Sequence, residues 1–120
     1  MSWFDSTRAR GLRAERRAAL YLRLRGCKVI ARNYRCHSGE IDIIVRDGAS
    51  LVFVEVKSAT TTACGDPLAR VTPAKQNKIV NTARYYVMVN KLENLPMRFD
   101  VIGIDPDGKL RHIKDAFVAR

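Results

Sequence analysis

The sequence predicts a single α/β domain, and three observations carry that expectation. A 120-residue chain with 47% hydrophobic content suffices for one core and not for two. Residues 41–45 and 51–56 are β-branched and aliphatic runs joined through Arg46-Asp47-Gly48-Ala49-Ser50, whose Asp-Gly pair suits a tight reversal between antiparallel strands. Two longer stretches, 8–25 and 73–89, repeat apolar residues at helical spacing instead.

The first helix, residues 8–25, has Ser6 or Thr7 available as its cap and Gly26 to stop it. Gly11, Leu12, Ala14, Ala18, Ala19 and Leu22 share one stripe with Glu15 in its middle, while Arg10, Arg13, Arg16, Arg17 and Arg23 lie outside it. A glutamate on a core stripe asks for a reason, either an ion pair with a nearby arginine or a place in a site. Residues 28–34 read as the first strand and Arg35-Cys36-His37-Ser38 as a connecting turn. In the hairpin, alternation puts Glu40, Asp42 and Ile44 on one face with Leu51, Phe53, Glu55 and Lys57, and leaves Ile41, Ile43, Val45, Val52, Val54 and Val56 as an uninterrupted apolar face opposite. The mixed face sets Asp42 and Glu55 among Ile44, Leu51 and Phe53. Carboxylates in such surroundings must be paired, protonated or metal-bound.

Residues 58–67, with three threonines, Gly65 and Pro67, have no periodicity and form a loop. Thr72 caps and Pro73 opens the second helix, which runs to about Val89 with Gln76, Ile79, Val80, Ala83 and Val87 on one face and Lys75, Lys78 and Arg84 on its flanks. Residues 97–104 make a fourth strand, 105–108 a turn, and 109–113 a short fifth strand with His112 as a partly exposed edge residue.

Twenty-two Lys and Arg against twelve Asp and Glu leave a net charge of +10, which favours a polyanion as partner, nucleic acid ahead of a membrane surface. The apolar runs are too short for a membrane span and the first residues lack an apolar signal core, so a cytoplasmic protein is expected. Cys27, Cys36 and Cys64 fit neither a CxxC zinc pattern nor a paired disulfide set and read as reduced thiols; Cys36-His37 is too small a constellation to hold a metal alone.

The chemistry sits in Asp42, Glu55 and Lys57. Mg²⁺ takes oxygen ligands, commonly one or two carboxylates with waters and phosphate oxygens completing the octahedron. Asp42 and Glu55 on adjacent strands supply that pair, and Lys57 on the same face would meet the phosphate or the attacking water. Carboxylate neighbours are expected to raise its pKa, which makes orientation and charge stabilisation its role. The pattern acid-x-Lys is weak by itself: twelve acids and seven lysines predict about one by chance, and Asp107-Gly108-Lys109 is a second occurrence. Context separates the two, because Asp107 follows Pro106 in a turn whereas Glu55 lies in an apolar strand beside that of Asp42.

Gly39-Glu-Ile-Asp-Ile-Ile44, Val52-Phe-Val-Glu-Val-Lys57, Val71-Thr-Pro-Ala-Lys-Gln76 and Arg98-Phe-Asp-Val-Ile102, after a helix with Gly11 and Glu15, resemble the YraN-like family of small bacterial proteins. That family is similar in fold to the PD-(D/E)XK nucleases, notably the Holliday-junction resolvases. The resemblance implies a restriction-endonuclease-like αβββαβ core with a central mixed sheet flanked by helices. It further implies metal ligands at Asp42, Glu55 and the carbonyl of Val56, a catalytic Lys57, an auxiliary acid at Glu15 and Mg²⁺ or Mn²⁺ as cofactor. Gln76 matches loosely the helix glutamine of some of these nucleases. Ile41 stands where the signature has proline, and Ser58-Ala59 where many relatives carry an arginine.

Three readings follow: a metal-dependent endonuclease acting on DNA, including branched DNA; a nucleic-acid-binding module of the same fold without turnover; and a scaffold whose acids form an ion-pair network. Lys75, Gln76, Lys78 and Arg84 on the second helix, with the 58–67 loop, are the expected contacts to nucleic acid, and a resolvase would place two sites on one junction as a homodimer. The nuclease reading requires Glu15, Asp42, Glu55 and Lys57 to converge, with the first helix packed on the sheet face that carries the hairpin acids.

Overall fold

The computed structural model describes residues 3–59 and 65–119, with side chains from residue 8 onward. The chain runs α1 (Trp3–Leu24), β1 (Lys28–Cys36), β2 (Gly39–Asp47), β3 (Ser50–Ser58), a 3-10 turn (Pro67–Arg70), α2 (Pro73–Val89), β4 (Met97–Ile104) and β5 (Leu110–Phe117). One open mixed sheet has strand order β1-β2-β3-β4-β5, antiparallel except that β4 runs parallel to β3. A parallel neighbour needs a crossover, and α2 supplies it.

The helices cover opposite faces. Ala14, Ala18, Ala19 and Leu22 of α1 close on Ile43, Val45, Val52, Val54 and Ile102. The other face, Ile44, Leu51, Phe53, Phe99 and Val101, closes on Ile79, Val80, Ala83 and Tyr86 of α2. Three alanines on α1 let the helix lie close to a valine-rich sheet, and each fully buried aliphatic side chain is worth about 1.5–3 kcal/mol. The predicted stripe of α1 is therefore packed from Ala14 to Leu22, while its first members, Gly11 and the 42% exposed Leu12, are outside the core.

Several boundaries differ from the sequence expectation. Residues 3–7 contain no Pro or Gly to break a helix, and α1 starts at Trp3, so Ser6 and Thr7 are helical and not caps. Arg35 and Cys36 belong to β1, pairing with Glu40 and Gly39, and the reversal is only His37-Ser38. β5 continues to Phe117 because Asp115, at φ 51°, absorbs a bulge opposite β4 while its N–H donates to Asp100 Oδ1 at 3.0 Å. The ring of Phe117 then stacks on Phe99, with centroids 5.1 Å apart. Ile41 leaves the apolar face it was assigned and joins the α2 core, although Ile43 and Val45 stay on the α1 side. Strict alternation fails at Asp42, across from which Asn33 takes a left-handed φ of 54°. Residues 60–64, which include Cys64 and the middle of the predicted 58–67 loop, lie outside the described residues.

Candidate active site

The break in alternation builds the site. β2 and β3 pair from Asp47↔Ser50 as far as Ile43↔Val54, while β3 continues along β4 through Glu55, Val56, Lys57 and Ser58. Past Val54 the edge of β3 facing β2 would present a bare N–H, and Asp42 Oδ2 accepts it from Val56 at 2.8 Å. Asp42 thus sits in the seam between the two strands. Glu55, the residue before Val56 on β3, is 6% exposed. Burial, then the hydrogen bond and the negative charge of Glu55, push the Asp42 carboxyl up to about 8, against the Val56 N–H and Lys75. A carboxyl held this high carries its proton at neutral pH, and a bound cation would compete with that proton.

The structure brings Glu15 to this seam from the α1 side. Glu15, 7% exposed, and Asp42 line one cavity of about 530 Å³, together with Arg8, Gly11, Asn33, Arg35, Glu40, Val56 and Ser58. Burial, and then Asp42, raise the Glu15 pKa, and Arg32 offsets part of this through an ion pair at 3.5 Å. The ion pair offered as one reason for a glutamate on the core stripe is therefore present, and the same side chain lines the cavity with Asp42. The expected packing is corrected, however: α1 covers the face opposite Leu51, Phe53 and Glu55, and Glu15 reaches Asp42 only because the chain switches faces at residue 42.

From the α2 side comes Lys75, whose Nζ stands 3.1 Å from Glu55 Oε2. Burial works against its charge, but Glu55 and Asp42 hold its pKa above the ordinary value. Lys57, half-buried, behaves oppositely to expectation: burial and the neighbouring Lys75 lower its pKa, outweighing Glu55 and Asp42. Arg70 donates from Nη1 to the Ser58 carbonyl at 3.2 Å and fixes the end of β3. Lys75 was legible only as a flank residue. A cation in the first turn of a helix opposes the dipole, so its position there already asked for an acidic partner.

Of the other predicted contacts, Gln76 donates from Nε2 to the Val71 carbonyl at 3.0 Å and closes the turn into α2, while Lys78 and Arg84 lie exposed further along the helix. Cys36 Sγ accepts from Ser38 N–H at 3.4 Å and His37 packs edge-on against Tyr85. Among the described residues no three His, Cys, Asp or Glu side chains gather as a metal cluster. The carboxylates of Asp42 and Glu55 are oxygen donors, the ligand type that a hard cation such as Mg²⁺ could use.

A model described as "Uncharacterised protein family UPF0102" matches residues 14–104. The chain belongs to the UPF0102 family. A UPF0102 protein of Lachnoclostridium phytofermentans is 49% identical over 110 residues, covering 91% of this chain and 92% of the relative. UPF0102 proteins of Geotalea uraniireducens and Saccharophagus degradans are 44% and 45% identical, over 89% of this chain in each case and 87% and 91% of the relatives. The span matched by the UPF0102 model contains Glu15, Asp42, Glu55, Lys57 and Lys75, and ends at the close of β4.

Proposed function

We propose that this UPF0102 protein is a divalent-metal-dependent endonuclease acting on DNA, built on a restriction-endonuclease-like core. The observation that carries the reading is the meeting of two acids where β2 and β3 separate: Asp42 accepts the Val56 N–H at 2.8 Å beside buried Glu55, with Lys57 two residues further along β3. Asp42, Glu55 and the carbonyl of Val56 would hold Mg²⁺ or Mn²⁺, which supplies charge stabilisation to a phosphoryl group and lowers the pKa of a bound water. Asp42 is oriented for this by the Val56 N–H. Lys57 offers its ammonium to a phosphate oxygen, and its lowered pKa makes proton exchange with an attacking water less costly than for an ordinary lysine. Glu15, in the same cavity as Asp42, is placed to orient a water on the α1 side.

A second reading, a nucleic-acid-binding module of the same fold without turnover, is favoured by one contact. The Lys75 ammonium already neutralises Glu55. Cleavage of linear, flapped and four-way DNA, measured with Mg²⁺, Mn²⁺ or chelator beside gel-shift affinity, separates the two. Glu55→Gln keeps the side chain's size while removing the charge that holds the cation, so cleavage should fall at least about 100-fold with binding retained. Equal cleavage by both proteins would falsify the assignment, and binding without cleavage by either would favour the module.

A further inference from the structure

We propose that Arg10, Arg13 and Arg17 form a second, phosphate-binding cavity beside the carboxylate site, and that it holds a backbone phosphate of the bound nucleic-acid strand. The choice of strand as ligand rests on the function proposed above; the anion site itself does not.

The three arginines fall at i, i+3 and i+7 on α1, a spacing that turns them to one side of the helix. They line a cavity of about 280 Å³ between α1, the end of β3 and the turn joining β4 to β5. Ala14 and Ser58 line both this cavity and the one holding Asp42 and Glu15, so the two hollows adjoin across a single residue of β3. Asp105 is the acid among the lining residues, and among the described residues none of the three arginines makes an ion pair with it or with any other carboxylate. Three guanidiniums against one carboxylate leave the hollow with an excess of positive charge. Among the described residues, moreover, Arg10 Nε is buried with no acceptor. A buried donor without a partner is costly, and an anion in the cavity supplies the acceptor.

Gly108 makes the room. A Cβ there would stand 2.9 Å from Arg17 Nη1, so the absence of a side chain in this turn lets the guanidinium lie against it. Guanidinium forks match phosphate oxygens two at a time, which favours a phosphate over a monodentate anion. A strand whose scissile phosphate meets Asp42, Glu55 and Lys57 and which continues past Ser58 enters this cavity next.

The test uses the full chain, a fluorescein-labelled DNA with chelator present, and two double variants that remove equal charge: Arg13→Gln/Arg17→Gln in the cavity, and Arg16→Gln/Arg23→Gln on the exposed side of the same helix. The cavity pair should weaken binding at least about tenfold and flatten the dependence of log K on log salt by about 0.9, the value for one phosphate of duplex DNA. The control pair should change affinity less than about threefold. Inorganic pyrophosphate should raise the melting temperature of the wild type and the control pair but not of the cavity pair. If both pairs lose DNA affinity alike, or pyrophosphate stabilises all three proteins equally or none, the cavity proposal is overturned while the nuclease reading stands. If pyrophosphate discriminates as expected but no DNA is bound, the anion site stands and its assignment to a nucleic-acid strand fails together with the functional reading.

Discussion

Asp42 is the residue on which the site turns, because it closes the seam between β2 and β3 with a hydrogen bond and carries a proton while doing so. Its folded pKa of about 8 lies above the ordinary carboxylate value. A group shifted upward stabilises the fold fully below its unfolded pKa and loses that contribution as pH rises through the folded value. In chelator, the wild type should therefore melt at lower temperature at pH 9 than at pH 6, and Mg²⁺ should recover the difference. Asp42→Asn should abolish most of that pH dependence; a variant that loses as much stability as the wild type over this range would contradict the proton on Asp42. Lys75 is the counterpart on the other side of the sheet. Removing it leaves Glu55 uncompensated, and since the lysine side chain is 43% exposed the cost is scaled down from that of a fully buried pair to about 1–2 kcal/mol. Urea unfolding of Lys75→Met in chelator checks the loss, and added Mg²⁺ should restore part of it.

At the scale of elements, a buried polar network fastens the opposite end of the sheet. Asp100 on β4 accepts from Arg98 Nε at 3.0 Å, meets His112 Nε2 at 2.8 Å and takes the Asp115 N–H; Arg98 Nη2 reaches Asp47 at 3.0 Å, and His112 Nδ1 meets Tyr21 OH at 3.0 Å. One carboxylate thereby ties β4, β5, the β2–β3 turn and α1 together. His112 is on an edge strand as expected, but its side chain is turned inward and only 7% exposed. Burial would raise the Asp100 pKa, yet the hydrogen bonds from His112, Arg98 and Asp115 outweigh it and hold the carboxyl below the ordinary range. Stability from a depressed carboxylate is present above its unfolded pKa and is lost as pH falls through the folded one. Asp100→Asn should cost about 3 kcal/mol at neutral pH, because Arg98 loses one of its two carboxylate partners and His112 loses its own, and should blunt the acid limb of the unfolding profile. Urea titrations at pH 7 and pH 3 measure both effects, and a loss under about 0.5 kcal/mol would mean that the network is ornamental.

For the whole molecule, charge and fold make separable contributions. No helix among the described residues is long and apolar enough to cross a membrane. A net charge of +10 predicts phosphate-led binding, in which each contact releases counterions. Affinity for DNA should fall steeply between about 50 and 200 mM salt, and this should hold equally for Glu55→Gln. A flat profile across that range would remove nucleic acid as the partner.

The sequence by itself determined the order of elements, the hairpin, the packed stripes of both helices and the identity of the acids and lysine at the end of β3. These are local properties: periodicity, turn chemistry and the cost of a carboxylate among aliphatic residues act within a few positions of the chain. Tertiary structure alone decided which faces those elements share. The pattern of residues 40–45 reads as plain alternation, and only the left-handed Asn33 across from Asp42 and the parting of β2 from β3 show that the chain switches faces there. That switch is what carries Asp42 to the side of Glu15. Nor could spacing reveal that burial, together with Lys75 twenty residues beyond Glu55, would outweigh the carboxylates beside Lys57 and lower its pKa, or that His112 would be held between Asp100 and Tyr21. Such couplings depend on distances across the sheet, which a one-dimensional pattern does not contain.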